Sequence, residues 1–359
     1  MDRRKFTVGS GMTAAAALAV SPARGQGGAQ VRWRMASSFP RTLGMYQAAE
    51  IVAKRVEALT GGQFQIRVFP PGEIVPGLQV LDAVEQGTIE CGYTAGYYYG
   101  GKESALAIDT CLPFGMGVRQ HNAWMLNGGG LELTRQVYKK FNCINFPAGH
   151  TGTQMGGWWR AEVKTLADLK GKKMRIPGLG GAIMAKLGVI PQQLSGGDIY
   201  PALERGTIDA AEWSVPYDDE KLGFYKVAKF YYSPAFWEPT ASFPVIVNLK
   251  AWEALPAQFR EALEVACFEA YTKVPAAYDA ANPEALKRLI AQGVQLRSFS
   301  KEIMDAAWVA TKQVMAEESA KSADFKRLYD SYTAFRLGVG SWFRVAESPL
   351  DNFTLYQAR

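Results

Sequence analysis

Val31-Arg32-Trp33-Arg34-Met35 alternates apolar and polar positions as a half-buried strand does, and Ser37-Ser38-Phe39-Pro40 ends the pattern. Apolar residues then recur at helical spacing from Leu43 to Leu59, where Thr60-Gly61-Gly62 supplies a glycine stop. Phe64-Gln65-Ile66-Arg67-Val68-Phe69 alternates again before Pro70-Pro71-Gly72 turns the chain. A strand, a helix and a second strand in this order predict a parallel sheet with a crossover helix.

The same local design occurs twice. Ala83-Val84-Glu85-Gln86-Gly87-Thr88-Ile89-Glu90 returns as Ala202-Leu203-Glu204-Arg205-Gly206-Thr207-Ile208-Asp209. Each copy reads as the last turn of a helix, a glycine in the left-handed conformation, then a strand. Aromatic residues follow both: Tyr93, Tyr97, Tyr98 and Tyr99 after the first, Trp213 and Tyr217 after the second. Helix-glycine-strand steps are common in unrelated chains, but two with matching sequels predict two α/β domains facing a shared cleft, where strand ends collect ligands. Between the copies, Leu166 to Arg175 reads as a short helix, a glycine turn and a strand. Beyond residue 240 the pattern predicts helices over Trp252–Tyr278, Pro283–Gln292 and Lys301–Phe335, with one more helix-glycine-strand step at Ala291–Leu296.

The first 25 residues read differently. Arg3-Arg4 precedes Phe6, and a short alanine-rich run, Met12 to Val20, is far below the ~20 residues needed to span a bilayer. This matches a twin-arginine export signal, with Ala23-Arg24-Gly25 near the cut. Its removal takes away four basic side chains and one acidic one, so the formal charge of +6 falls to about +3. That balance gives little support to nucleic-acid binding. The chain of 359 residues, 48% hydrophobic and 21% charged, has the composition of a globular protein of about two domains. Two histidines and four cysteines without a CxxC exclude a His-rich zinc site and a zinc ribbon. Cys91 lies in an apolar run, and the cysteines are expected to be free thiols.

Candidate chemistry gathers at a few positions. Arg175 ends a strand beside Pro177-Gly178-Leu179-Gly180-Gly181, which opens a helix. A guanidinium there suits a carboxylate, although a salt bridge is as good an account of any one arginine. The glycines make neither a dinucleotide fingerprint nor a phosphate loop. Gln154 stands between Gly152 and Gly156-Gly157, which implies close backbone approach. Glu212-Trp213 leaves the second repeat directly, and Glu238 is embedded in Phe236-Trp237-Glu238 after Phe230-Tyr231-Tyr232. Aromatic runs of this kind are usually core. No GxSxG is present; Glu212 and Glu238 as the carboxylate pair of an exported carbohydrate hydrolase is the one enzymatic alternative.

The run Gln193 to Trp213, with Met174-Arg175-Ile176-Pro177 and Val247-Asn248-Leu249-Lys250-Ala251-Trp252, resembles the signature of TRAP-transporter (DctP-like) solute receptors. The likeness covers essentially the whole chain after the signal. Gln154-Met155-Gly156-Gly157-Trp158, Pro216 to Phe224 and Gly96-Tyr97-Tyr98-Tyr99 are most similar to the α-keto-acid receptors; His150 stands where their pattern has asparagine. The resemblance implies a non-catalytic periplasmic receptor with a two-lobed, type II-like α/β fold, each lobe a mixed sheet flanked by helices. It implies lobe I from 26–152 with about 241–280, lobe II from 153–240 with about 281–300, and C-terminal helices over 301–359. It further implies that Arg175 clamps a small 2-oxo or 2-hydroxy monocarboxylate such as pyruvate, reached by Tyr97 from the other lobe. Gln154, Glu212, the Trp213 carbonyl and Glu238 would surround one Na⁺ or Ca²⁺, so that Gln154 and Trp213 also border the ligand. The membrane subunits of a TRAP transporter are the implied partners, and the C-terminal helices allow a homodimer. Charge supports the cation: one arginine against two glutamates and a monocarboxylate leaves −2 in a closed cleft, costly unless offset. The donors are all oxygen, as Na⁺ and Ca²⁺ prefer.

Overall fold

The computed structural model describes residues 31–357, and the export signal expected over 1–25 lies outside them. Eleven strands follow in order: β1 (Val31–Ser37), β2 (Phe64–Phe69), β3 (Cys91–Tyr93), β4 (Cys143–His150), β5 (Trp158–Trp159), β6 (Lys173–Arg175), β7 (Ile190–Gln192), β8 (Ala210–Ala211), β9 (Phe230–Ser233), β10 (Ser242–Asn248) and β11 (Gln295–Ser298). They form two mixed sheets, one in the order β2-β1-β3-β10-β4 and one in the order β11-β9-β5-β8-β6-β7. The crossover helix is Gly44–Leu59, and β1 pairs parallel with both β2 and β3. In the second sheet β6 pairs parallel with β7 and β8. Helices cover the parallel strands, which is why β3 and β8 are apolar and buried throughout.

The two repeat copies occupy equivalent places. Gly87 and Gly206 both have φ +71°, each between a helix and a strand that pairs parallel with the strand two before it in the chain, β3 with β1 and β8 with β6. The left-handed backbone there makes the glycine a requirement of both turns.

Three segments connect the sheets. The chain leaves the first between β4 and β5, returns between β9 and β10, and leaves again along the helix Ala257–Ala291. The first two crossings run side by side, with Thr151 N–H donating to the Ala241 carbonyl (3.2 Å) and Gln154 N–H to the Glu238 carbonyl (3.2 Å). Two candidate site residues therefore sit where the lobes are joined.

The helical C-terminal half corrects several sequence boundaries. Pro256 separates the short helix Leu249–Glu253 from Ala257–Ala291, which runs on unbroken through Pro275 and Pro283. A proline removes one donor and frees one carbonyl; Pro283 is exposed, so water can satisfy that carbonyl. The expected helix Lys301–Phe335 is instead two, Lys301–Lys321 and Ala323–Val345. Ser322 is extended at the break, where its hydroxyl caps Phe325 N–H at 3.1 Å and donates to Glu103 at 2.6 Å. A last helix, Glu347–Gln357, leaves Leu350, Phe353 and Leu355 exposed. The four cysteines are free and buried. Among the described residues no helix is long and apolar enough to cross a membrane.

Candidate functional site

Strand register makes the first contact. β6 and β8 pair so that Arg175 lies opposite Ala211, and Glu212 N–H donates to the Arg175 carbonyl at 3.0 Å. Both side chains turn inward and are buried. Arg175 Nη1 donates to the Glu212 carbonyl (2.7 Å) and carboxylate (3.2 Å), and Nε to the Leu194 carbonyl (3.2 Å). The guanidinium lies over the Trp213 ring, 5.0 Å from its centroid. Trp213 in turn packs on Gly196, where a Cβ would stand 2.6 Å from the ring.

The loop after β4 reaches this pair because its glycines permit it. Gly157 has φ +81°, and a Cβ there would lie 2.8 Å from the Ala211 carbonyl. Backbone bonds from Met155 to Ser214 (2.9 Å) and from Gly156 to Tyr232 (2.7 Å) fasten the loop to the strand ends. One end of the Gln154 amide meets Thr151 Oγ1 at 3.1 Å. The other lies 2.8 Å from Glu212 Oε1, 3.1 Å from the Trp213 carbonyl and 2.9 Å from Glu238 Oε2. With nitrogen at that end the two amide hydrogens are shared among the three acceptors. Turned over, its oxygen joins them, and four oxygens face a common point.

Glu238 is buried, its second carboxylate oxygen has no partner among the described residues, and Tyr97 lines the same small space from the first sheet's side. Burial pushes the Glu238 carboxyl up to about 7. Burial, and then repulsion from Glu238, hold Glu212 well above the usual carboxylate range, against the pull of Arg175. Two buried acids and one arginine are an unbalanced set, and an added cation would lower both carboxyls. The donors fit such an ion: two carboxylates, an amide and a main-chain carbonyl suit Na⁺ or Ca²⁺. No group of three or more His, Cys, Asp or Glu stands ready for a metal among the described residues, so the amide and carbonyl are needed to complete the set.

Thus Gln154, Arg175, Glu212, Trp213, Glu238 and Tyr97 converge on one place. His150 stays outside it, stacked edge-on against Tyr271 at 5.1 Å, with burial holding its ring neutral down to about 3. Sequence reading gave no role to Thr151, to Tyr98, which faces Arg175, or to Asp219. Asp219 accepts from Trp158 (2.9 Å), Tyr231 (2.7 Å) and Ser214 N–H (3.1 Å), holding the strand end that carries Glu212 and Trp213. An acid in the first turn of a helix behind Pro216 reads in sequence only as helix-dipole chemistry.

Residues 35–322 match the DctP model, described as bacterial extracellular solute-binding protein, family 7. The chain belongs to this family. This DctP-type protein is therefore a periplasmic receptor of TRAP transport and not an enzyme. That removes the hydrolase alternative, and the geometry agrees: Glu212 and Glu238 both meet the same end of the Gln154 amide, at 2.8 and 2.9 Å, so a protein side chain occupies the place between them. The receptor is 53% identical over 323 residues to a monocarboxylate 2-oxoacid-binding periplasmic protein of Nostoc, covering 90% of this chain and 89% of that one. It superposes with TM-score 0.91 and 52% identity on a TRAP solute-binding protein from Bordetella bronchiseptica, over 92% of this chain and 98% of that one. That protein is a dimer with calcium and picolinate in one active site and the other apo. A TRAP receptor from Pseudoalteromonas atlantica with bound sodium and pyruvate superposes with TM-score 0.86 at 35% identity, over 89% and 98% of the two chains.

Proposed function

We propose that this receptor captures a small 2-oxo or 2-hydroxy monocarboxylate, such as pyruvate, together with one Na⁺ or Ca²⁺, and delivers it to the membrane subunits of a TRAP transporter. The observation that carries the reading is the ring of oxygens around the Gln154 amide beside a buried arginine. Arg175 holds the carboxylate, Tyr97 meets the ligand from the opposite lobe, and Gln154, Glu212, the Trp213 carbonyl and Glu238 hold the ion. An ion held by these residues would supply a positive centre that offsets both glutamates and could chelate a ligand through its carboxylate and the donor atom beside it. Pyruvate and picolinate, the ligands of two relatives, both carry a donor atom beside the carboxylate, which is the pattern such a chelate needs.

The lobe boundaries 26–152 with 241–280, and 153–240 with 281–300, are part of this proposal. Every strand of the first sheet lies in the first set and every strand of the second sheet in the second. Closure then moves one sheet onto the other about the crossings that carry Gln154 and Glu238, as in hinged binding proteins. The C-terminal helices are proposed as a homodimer surface. Leu337, Trp342, Val345, Leu350, Phe353 and Leu355 are all exposed apolar side chains on the last two helices, and the Bordetella relative is a dimer.

Calorimetry with pyruvate on chelator-treated receptor tests the function. Binding should require added Ca²⁺ or Na⁺. Equal affinity in the cation-free buffer would overturn the metal, and no binding under any condition would overturn the ligand class.

A further inference from the structure

Next to Glu238 the protein encloses a cavity of about 10 Å³ walled by Tyr97, Ala107, Cys111, Leu179 and Trp237. A space of that size holds roughly one water-sized group, the size of a methyl. Its walls come from both sides of the cleft: Tyr97, Ala107 and Cys111 precede β4, Leu179 lies in the first turn of the helix Gly178–Lys186, and Trp237 is in the second crossing. The walls are already in contact. A Cβ at Gly180 would stand 3.0 Å from Trp237 Cβ, and the Cys111 thiol donates to the Trp237 carbonyl at 3.5 Å.

A second cavity of about 210 Å³ shares Tyr97, Ala107 and Leu179 with the first and continues past Gly101, Ser104 and Gln193. The three shared residues form the partition. Ala107 has only a methyl to offer. Tyr97 is held by Gly178, where a Cβ would lie 2.8 Å from its own, and by the Tyr98 ring edge-on at 5.0 Å. Leu179, 9% exposed, is the one branched aliphatic side chain among the three that line both spaces.

We propose that Leu179 sets the longest acyl chain this receptor accepts, a claim resting on its reading as a 2-oxoacid receptor. The inner cavity takes the methyl of a three-carbon acid, and Leu179 bars longer chains from the outer cavity. The selectivity is steric, because apart from the carboxyl of Glu238, the hydroxyl of Tyr97 and the indole N–H of Trp237 the lining side chains are apolar or a weak thiol.

The test is calorimetry at saturating Ca²⁺ with pyruvate, 2-oxobutyrate and 2-oxovalerate. The unmodified receptor should bind 2-oxovalerate about tenfold or more weakly than pyruvate, the usual effect of forcing extra methylenes on a closed pocket. Leu179→Ala joins the cavities and should bring that ratio to about threefold or less. Leu179→Val should fall between, and decides the matter if the alanine variant loses its folded circular-dichroism spectrum. An unmodified receptor that binds pyruvate but does not distinguish chain length overturns the partition and leaves the 2-oxoacid reading standing. Ratios unchanged in the variants overturn it equally. Failure of every 2-oxoacid to bind overturns both.

Discussion

Asp218 caps a helix to which it does not belong. Its Oδ1 accepts the N–H of Gly44 at 2.8 Å, at the start of the helix Gly44–Leu59, which has no side-chain cap of its own. Its Oδ2 accepts the Tyr278 hydroxyl at 2.6 Å. Gly44 must lack a side chain here, since a Cβ would stand 2.7 Å from that hydroxyl. One buried acid thus ties the segment after β8 to the crossover helix of the first sheet and to the long helix between the lobes.

Asp218→Ala should therefore destabilise the receptor by about 2–4 kcal/mol, because two buried donors lose their acceptor together. Urea denaturation of the ligand-free protein measures this. A loss below about 0.5 kcal/mol, the usual size for an exposed position, would mean that the cap contributes nothing.

Stability of the ligand-free receptor should fall between pH 6.5 and 8. Burial raises Asp109 to about 7 and Asp219 to about 8. A raised carboxyl favours the folded state below the unfolded value, and the benefit is lost as pH rises through the folded value. His121 and His150, held neutral to about 4 and about 3, act in the opposite direction and only as pH falls below about 6.5. Asp109 accepts from the Asn145 amide at 3.4 Å and faces Tyr138, its other carboxylate oxygen is unpartnered, and no ion pair compensates it among the described residues. Asp109→Asn should cut the loss between pH 6.5 and 8 by about 1 kcal/mol. Denaturation curves at the two pH values that stay parallel for variant and parent would contradict the assignment.

Arg175 has two functions that substitution should separate. Its guanidinium already bonds Glu212 and Leu194, so it organises the strand ends before any ligand arrives. Arg175→Lys keeps the charge but loses the planar fork, and should raise the pyruvate Kd by about a hundredfold while lowering apo stability. Retained affinity in calorimetry would show that the carboxylate is held elsewhere.

Leu350→Glu with Phe353→Glu should convert a dimer to a monomer in light scattering, with pyruvate affinity unchanged. Both side chains are exposed, and neither lies near Arg175 in the chain or in the described site. A parent protein that is already monomeric at micromolar concentration would remove the dimer proposal.

The parts of this site that sequence exposes are those with a local cause. Gly87 and Gly206 announce their turns because only glycine adopts that backbone cheaply. Arg175 and Glu212 become neighbours through the parallel register of β6 and β8, both of which follow glycine turns that are legible in the sequence. Helix continuity through Pro275 and Pro283 depends instead on packing, since buried residues from Phe259 to Leu289 line one helix on both sides of the prolines. The break at Ser322 had its signal, a serine three residues before Phe325, but apolar spacing on both sides concealed it. Asp218 and Asp219 act on residues far away in sequence, and nothing adjacent to them marks that.

Gln154 offers the sharpest test of the ion. Its amide is the one neutral side chain in the ring, flanked by Glu212 Oε1 at 2.8 Å and Glu238 Oε2 at 2.9 Å. Gln154→Glu preserves shape and adds a third negative charge. Divalent affinity rises with ligand charge count, so the variant should favour Ca²⁺ over Na⁺ more strongly than the parent. Without an ion, the same substitution places three carboxyls beside one arginine, and the apo protein should lose stability more steeply than the parent as pH rises. The two effects are linked, since the charge that attracts Ca²⁺ is the charge that strains the empty cleft. Thermal unfolding with chelator, Na⁺ and Ca²⁺ reads both at once. A variant with the parent's ion preference would place the cation away from Gln154, whereas one stabilised by the chelator condition would mean that no cation binds there.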